Sequence, residues 1–318
     1  MILKGDRNAT TMKHSGYIQA NTMGKLHDAR EASLSPLDRG FLYGDAIYEV
    51  WRTYDNVLFA MEAHWERLIR SAAGIGMSMP LTAESIMPEI RRTVEAWRSN
   101  TGMESEVYVR LQISRGAGEI GLNPTYSEGP NWVILVKALP DLSPEALDKG
   151  YSVGISRSVR RNPRWALSPE LKTGNYLNNI MGFADGLERG RDEVLMLNGD
   201  GLITEGTTRN IWLVFEDRVA GPRQEDGILG GVTRGILLKH AREFSDLPFT
   251  EEPLHEAMLS KAREVFFSST TQDIQPVACV DNLSFKTGPA TITRSIKNCF
   301  RRWINEYTRT HPQWKVDA

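Results

Sequence analysis

The polar turn Pro140-Asp-Leu-Ser-Pro144 interrupts strong hydrophobic periodicity on both of its sides, and no other break in the sequence constrains the fold as much. It divides the 318 residues into a smaller N-terminal domain over 1–139, a connection over 140–147 and a larger domain over 148–318. Before the break, residues 16 to about 55 read as strands and turns, and helices follow near Glu62 to Gly74 and Ile86 to Trp97. Val107-Tyr-Val-Arg-Leu-Gln-Ile113 and Trp132-Val-Ile-Leu-Val-Lys-Ala138 read as β-strands. After it come a strand near Tyr151 to Arg157, a helix near Tyr176 to Arg189 and a hairpin from Glu193 to Phe215, turning at Asn198-Gly-Asp-Gly201. Helices near Thr233 to Phe244 and Pro289 to Tyr307 flank a short strand at Val265 to Ser268. No internal repeat or low-complexity tract is present.

A chain that is 41% hydrophobic with 8 Trp can fill two cores. Its net charge of −2 argues against nucleic acid or an acidic membrane as the main partner. Cys279 and Cys299 make no disulfide framework. Cys299 falls on the apolar stripe Ile292, Ile296, Cys299, Phe300, Trp303, Tyr307 of the C-terminal helix, where its role is packing. No run approaches the roughly 18 apolar residues of a membrane span, and charges begin at Lys4. The expectation is a soluble cytoplasmic protein.

Three segments carry chemistry in a fixed order. Lys172 lies in Pro169-Glu-Leu-Lys-Thr-Gly-Asn-Tyr176, Glu205 in Leu202-Ile-Thr-Glu-Gly206, and Gly227-Ile-Leu-Gly-Gly-Val-Thr-Arg234 runs a glycine-rich loop into an apolar-periodic helix. A lysine amine condenses with an aldehyde, and a carboxylate at hydrogen-bond distance favours the protonated form of a ring nitrogen beside it. A glycine-rich loop feeding a helix N-terminus offers backbone N–H groups and a positive dipole end to a phosphate. Amine, carboxylate and phosphate seat together describe a pyridoxal phosphate site. Singly, each has an ordinary reading: Lys172 as a solvated loop residue, Glu205 as a turn residue between strands, Gly230-Gly231 as loop punctuation.

The chain resembles the fold type IV pyridoxal phosphate enzymes, the family of branched-chain and D-amino acid aminotransferases. The resemblance runs from Leu34-Ser-Pro-Leu-Asp-Arg-Gly40 and Tyr43-Gly-Asp-Ala-Ile-Tyr-Glu-Val50 through His64-Trp-Glu-Arg-Leu68 and the three segments above to Ser268-Ser-Thr-Thr271 and Pro276-Val277. It implies an α+β small domain, a larger domain built around a β-barrel-like sheet, and pyridoxal 5′-phosphate between them. It further implies that Lys172 forms the Schiff base and shuttles the proton, Arg67 holds the phosphate, Tyr176 meets the ring hydroxyl and Glu205 the ring nitrogen. Val232, Thr233 and Thr270 complete the phosphate contacts. Read without the family, Arg67 sits on an amphipathic helix and faces water. The family also implies at least a homodimer; no metal is called for.

For the substrate, Tyr108 and Arg110 lie two apart on a strand and therefore share a face. They match a Tyr-x-Arg pair of the branched-chain enzymes, Arg52 matches another arginine of that subgroup, and Arg115-Gly116-Ala-Gly118 to Pro124 resembles a loop of the prokaryotic members. Tyr43, Tyr48 and Thr271 complete the expected substrate residues, with Trp51 a candidate for the pocket wall. Ser268-Ser-Thr-Thr271 pulls toward the D-amino acid enzymes, and Val50-Trp51 replaces an expected glycine. The arginine and histidine pair of the D-enzymes has no counterpart, because no histidine occurs between His64 and His240. The expectation is therefore ping-pong transfer from a branched-chain-type L-amino acid to 2-oxoglutarate. The rivals are D-amino acid or (R)-amine transfer and aminodeoxychorismate lyase activity.

Overall fold

The computed structural model describes residues 16–139 and 142–317. Pro140 and Asp141 of the expected connection, and the N-terminal charges from Lys4, lie outside the described residues. The chain begins with strands β1 (Gln19–Thr22) and β2 (Lys25–Asp28), helix α1 (Arg39–Tyr43), and strands β3 (Ala46–Tyr54) and β4 (Val57–Leu58). Helices α2 (Met61–Gly74) and α3 (Ala83–Thr101) and strands β5 (Val107–Ser114) and β6 (Asn131–Ala138) follow. The six strands form one antiparallel sheet in the order β2-β1-β6-β5-β3-β4. On β5, Val107, Val109, Leu111 and Ile113 are buried in a core with Ile86, Ile90, Val94 and Trp97 of α3. Strand alternation sends Tyr108, Arg110 and Gln112 to the opposite face. Helix α3 opens earlier than its apolar pattern suggests, because Thr82 and Ser85 form a reciprocal cap.

Pro144 does not only break the chain; it opens helix α4 (Pro144–Lys149), in the first turn where a missing N–H leaves no bond unmade. Then come β7 (Tyr151–Arg160), α5 (Leu177–Glu188), β8 (Glu193–Leu197), β9 (Leu202–Gly206), β10 (Asn210–Val214) and β11 (Val219–Gly221). They are followed by α6 (Val232–Lys239), α7 (Ala241–Phe244), β12 (Phe249–Glu251), β13 (Leu254–His255), β14 (Glu264–Ser269), β15 (Asp273–Val280), β16 (Leu283–Ser284) and α8 (Ile292–Thr310). Ten strands make one sheet along β12-β11-β10-β14-β15-β7-β8-β9-β13, with β16 on β15. A further pairing of β9 with β10, at Glu205 and Asn210, joins β10-β14-β15-β7-β8-β9 into a closed ring. This is the expected barrel-like sheet. Val153, Leu195, Ile203, Ile211, Phe267 and Val277 belong to one of its buried apolar clusters.

Strand β15 has no counterpart in the sequence pattern, since Pro276 at its centre demotes the run. The expected helix from Thr233 to Phe244 is divided at His240. A third core bridges the two sheets: Tyr54, Val57 and Phe59 pack with Trp212, Phe266 and the α8 residues Ile296, Phe300, Ile304 and Tyr307. Phe59 meets Phe300, Trp303 and Tyr307 edge-on, with ring centroids 5.4–5.9 Å apart. Cys299 packs against this core. Beyond α8 the chain returns to the first sheet, where Lys315 bridges Val57 and Val316 enters the first core. No helix among the described residues is long and apolar enough to cross a membrane.

Candidate active site

A cavity of about 400 Å³ opens where the two sheets meet, and the three chemical segments converge on it. Lys172 lies on the long loop between β7 and α5, but this loop is not free in solvent. Its backbone is stitched to β3, with Tyr48 N–H donating to the Lys172 carbonyl at 3.1 Å and Gly174 N–H to Ala46 at 2.7 Å. Ser71 Oγ of α2 accepts from the Lys172 N–H at 3.0 Å. The side chain is thereby fixed at its root, and Nζ lies 3.2 Å from the Tyr48 hydroxyl and 3.3 Å from that of Tyr176. The two phenols pack edge to face with centroids 5.5 Å apart. Burial pushes the Tyr48 phenol well above its ordinary pKa. Burial also raises that of Tyr176, but the Lys172 ammonium and the hydrogen bonds from Tyr48 and Lys172 outweigh it, so Tyr176 is the more acidic of the two.

Glu205 is the penultimate residue of β9, almost fully buried. Its Oε1 takes Arg161 Nη2 at 2.7 Å, its Oε2 takes Asn210 Nδ2 at 3.0 Å, and Leu229 N–H reaches both oxygens. Burial raises its pKa and exceeds the opposing pull of Arg161, the Leu229 N–H and Lys172.

The anion seat is at the start of α6. Gly231 is its N-cap, no side chain caps it, and Val232 and Thr233 form its first turn at the cavity wall. Thr233 Oγ1 is buried with no hydrogen-bond partner, a donor arranged for a group that the protein alone does not supply. A Cβ on Gly231 would lie 1.9 Å from Asn210 Oδ1, so only glycine lets the helix start this close. Arg67 also reaches the wall and is buried instead of facing water. Glu49 holds it at 2.6 and 2.9 Å, and Nη1 donates to Gly230 O at 3.0 Å, which leaves donors over for an anion. Glu49 also accepts from His64 Nδ1 at 2.7 Å, and His64 Nε2 lies 3.2 Å from Thr270 Oγ1. An uncapped helix start, an unpartnered buried hydroxyl and an arginine with spare donors fit a phosphate; a tyrosine pair at an amine and a buried carboxylate fit the rest of a pyridoxal ring.

Of the expected substrate residues, Tyr48, Tyr108, Arg110 and Thr271 line the cavity. Two stand off it. Arg52 shares the face of Tyr48 and Val50 but lies further along β3, where its guanidinium stacks on Tyr54 at 3.9 Å and donates to the Thr271 carbonyl at 3.1 Å. Tyr43 ends α1, its hydroxyl accepting from Gly121 N–H at 3.0 Å and its ring under Arg39. Val50 lines the cavity, whereas Trp51, of opposite parity on β3, is buried in the first core.

The sequence patterns give no hint of Arg161 or Asn210 as members of the site. Arg161 stands among Arg157, Arg160 and Arg164, a run that reads as a solvated basic stretch. Glu49 has one signal: it alternates with Tyr48 and Val50, so it faces α2 and can meet Arg67.

Residues 46–280 match the family model described as amino-transferase class IV. A Methanocaldococcus jannaschii protein provisionally named a branched-chain-amino-acid aminotransferase is 33% identical over 279 residues, covering 87% of this chain and 93% of that one. A D-alanine aminotransferase of Staphylococcus epidermidis is 29% identical over 287 residues, 90% and 97% of the two chains. The branched-chain aminotransferase of Thermoproteus uzoniensis, solved with norvaline, shares the fold with a TM-score of 0.80 at 29% identity, over 94% of this chain and 98% of that one. Site geometry, family match and shared fold agree, and the chain belongs to the class IV aminotransferases.

Proposed function

We propose that this transaminase moves the amino group of a hydrophobic, branched-chain-type L-amino acid to 2-oxoglutarate in two half-reactions on pyridoxal 5′-phosphate. The observation that carries this reading is the convergence, in one cavity, of the Lys172 amine between two phenols, the buried Glu205 carboxylate and the uncapped start of α6. The cofactor, when bound, supplies an aldehyde for an amine and a ring that delocalises the electron pair left by a departing α-proton. Thr233, the first N–H groups of α6 and Arg67 would hold its phosphate, Tyr176 its hydroxyl and Glu205 its ring nitrogen. Lys172 Nζ, as a free amine, would take the proton from the substrate's α-carbon and deliver it to the cofactor's C4′, and would carry it the opposite way in the second half-reaction. Tyr48 and Tyr176 hold Nζ between their hydroxyls and limit its rotation. Arg161 and Asn210 fix Glu205 so that its charge faces one way.

Support for the substrate class comes from the wall formed by Val50, Leu167 and Leu171, which suits a hydrocarbon side chain, beside Arg110, which suits a carboxylate. The M. jannaschii and T. uzoniensis proteins carry branched-chain names. A second reading, transfer from a D-amino acid, is favoured by the D-alanine aminotransferases at 28–30% identity. The test is the visible spectrum of cofactor-loaded protein with L-leucine or D-alanine in separate cuvettes. Loss of the Lys172-bound band with L-leucine alone supports the proposal, and loss with D-alanine alone replaces it with the second reading. Pyruvate released from aminodeoxychorismate without any acceptor would replace both with a lyase.

The division into domains at residues 140–147 and assembly as at least a homodimer belong to the same proposal. The first is supported by the two separate sheets. The second is supported by Phe41, Leu122 and Trp165, which a lone chain leaves 76%, 82% and 89% exposed.

A further inference from the structure

His64 is fully buried on α2, between two groups that belong to the anion seat. Its Nδ1 lies 2.7 Å from Glu49 Oε2, and its Nε2 lies 3.2 Å from Thr270 Oγ1. Glu49 is also the carboxylate that holds Arg67, at 2.6 and 2.9 Å, and Thr270 lines the cavity together with Arg67. One imidazole therefore separates the counter-ion of the arginine from a hydroxyl of the cavity wall.

These partners decide where the protons of the ring sit. Burial opposes ionisation of Glu49, but Arg67 and His64 together hold its carboxyl well below the ordinary range, so it can only accept. Nδ1 must then carry a hydrogen, because a bare nitrogen 2.7 Å from that oxygen would set lone pair against lone pair. A neutral His64 is left with a bare Nε2, and the Thr270 hydroxyl donates to it. A hydroxyl owns one hydrogen. In the protein alone that hydrogen is taken by the ring, and none remains for an anion in the cavity.

An anion at this wall reverses the direction of the bond. Burial is the largest influence on the ring and keeps it neutral. The cations facing it, Arg67 from α2 and Lys172 from the loop between β7 and α5, act the same way, while Glu49 from β3 pulls toward the charged form. Thr270 and the Trp51 ring, with its centroid 5.8 Å away, are neutral. A phosphate dianion beside Thr270 adds negative charge on the side where Nε2 lies, which favours the imidazolium. Nε2–H then donates to Thr270 Oγ1, and the hydroxyl hydrogen is free for a phosphate oxygen.

We propose that His64 is a positioning residue for the phosphate: on anion binding it takes one proton from solvent, donates through Nε2 to Thr270, and turns the Thr270 hydroxyl hydrogen onto the anion. The inference rests on the pyridoxal phosphate reading of the cavity and deepens it, giving the seat a proton-linked donor besides α6 and Arg67.

The test follows nitrogen-15-labelled histidine by NMR at neutral pH in cofactor-free and pyridoxal phosphate-loaded protein, the His64 signals being assigned by their loss in His64→Gln. In the cofactor-free protein one ring nitrogen is protonated and one is bare; after loading, both are protonated. Thr270→Ser keeps this change, and Thr270→Val, which has no hydroxyl to accept from Nε2–H, loses it. A second readout uses pyridoxamine 5′-phosphate, which needs no bond to Lys172. Its affinity rises about three- to tenfold more per unit fall in pH for wild type than for Thr270→Val, tenfold being one whole proton taken up. An Nε2 that stays bare after loading, a ring already doubly protonated beforehand, or equal pH slopes overturns the proposal. So does a Thr270→Val protein that still gains the proton, or a Thr270→Ser protein that does not. Protein that binds neither form of the cofactor overturns the reading of the cavity beneath it instead.

Discussion

Asn210 and Glu205 meet twice. Their backbones pair at the seam that closes the β-ring, and the Asn210 amide donates to Glu205 Oε2 at 3.0 Å. The same amide nitrogen reaches the Leu229 carbonyl at 3.0 Å, so one side chain ties the seam to the loop leading into α6. Closure of the sheet and orientation of the carboxylate are one structural event.

Replacing Asn210 by Ala therefore strips a buried carboxylate of a donor and leaves the Leu229 carbonyl without this partner. The expected loss is about 1–3 kcal/mol in urea-induced unfolding. Gly231→Ala drives a Cβ into the Asn210 oxygen and destabilises through the same group, so the two losses are less than additive in the double variant. Strict additivity would separate the two sites.

Lys172→Ala removes the amine between the two phenols. Turnover falls by at least about 10²–10⁴-fold, while the cofactor still binds noncovalently through the seat at α6. Full turnover in this variant, measured as keto acid formed from L-leucine, would sink the assignment.

Thr233 carries opposite expectations for stability and binding. Its hydroxyl is buried without a partner, a condition that costs roughly 1–3 kcal/mol. Thr233→Val is expected to raise the melting temperature of cofactor-free protein and to weaken pyridoxal phosphate by about tenfold, one charge-assisted hydrogen bond's worth. Calorimetric melting and a fluorescence titration measure the two separately.

The Glu49–His64–Arg67 cluster predicts two steps of acid destabilisation. Burial lowers the pKa of His64 from its ordinary 6.5, against the pull of Glu49, so the folded chain keeps the ring neutral while the unfolded chain protonates. Stability therefore falls as pH drops below about 6.5. Glu49 is pushed up by burial but pulled further down by Arg67 and His64, to well below its ordinary 4.5. Its contribution is present above that value and is lost as pH falls beneath it. Unfolding midpoints between pH 7.5 and 3.5 should show both steps in wild type and only the second in His64→Gln.

What was readable in the sequence followed from order and parity. Lys172, Glu205 and the segment ending at Thr233 each read as ordinary loop or turn alone; their joint order and the family resemblance singled them out, and all three line the cavity, whereas Tyr108 and Arg110 follow from a strand's putting every second residue on one face. Orientation over longer spans is not legible. Arg52 has the parity of Tyr48 yet lies beyond the cavity, and Tyr43 belongs to a helical turn that points it at Gly121. Arg161 and Asn210 gain their roles from loops and pairings 44 and 5 residues away from Glu205, which no periodicity encodes. Strand β15 is hidden by its own Pro276.

The core that bridges the two sheets bears on whether the two halves can part. Aromatic side chains from both halves interlock there, and the residues after α8 lie back across the first sheet like a strap. Swinging the two halves apart would bring this apolar joint into water, at a cost that rises with the area exposed.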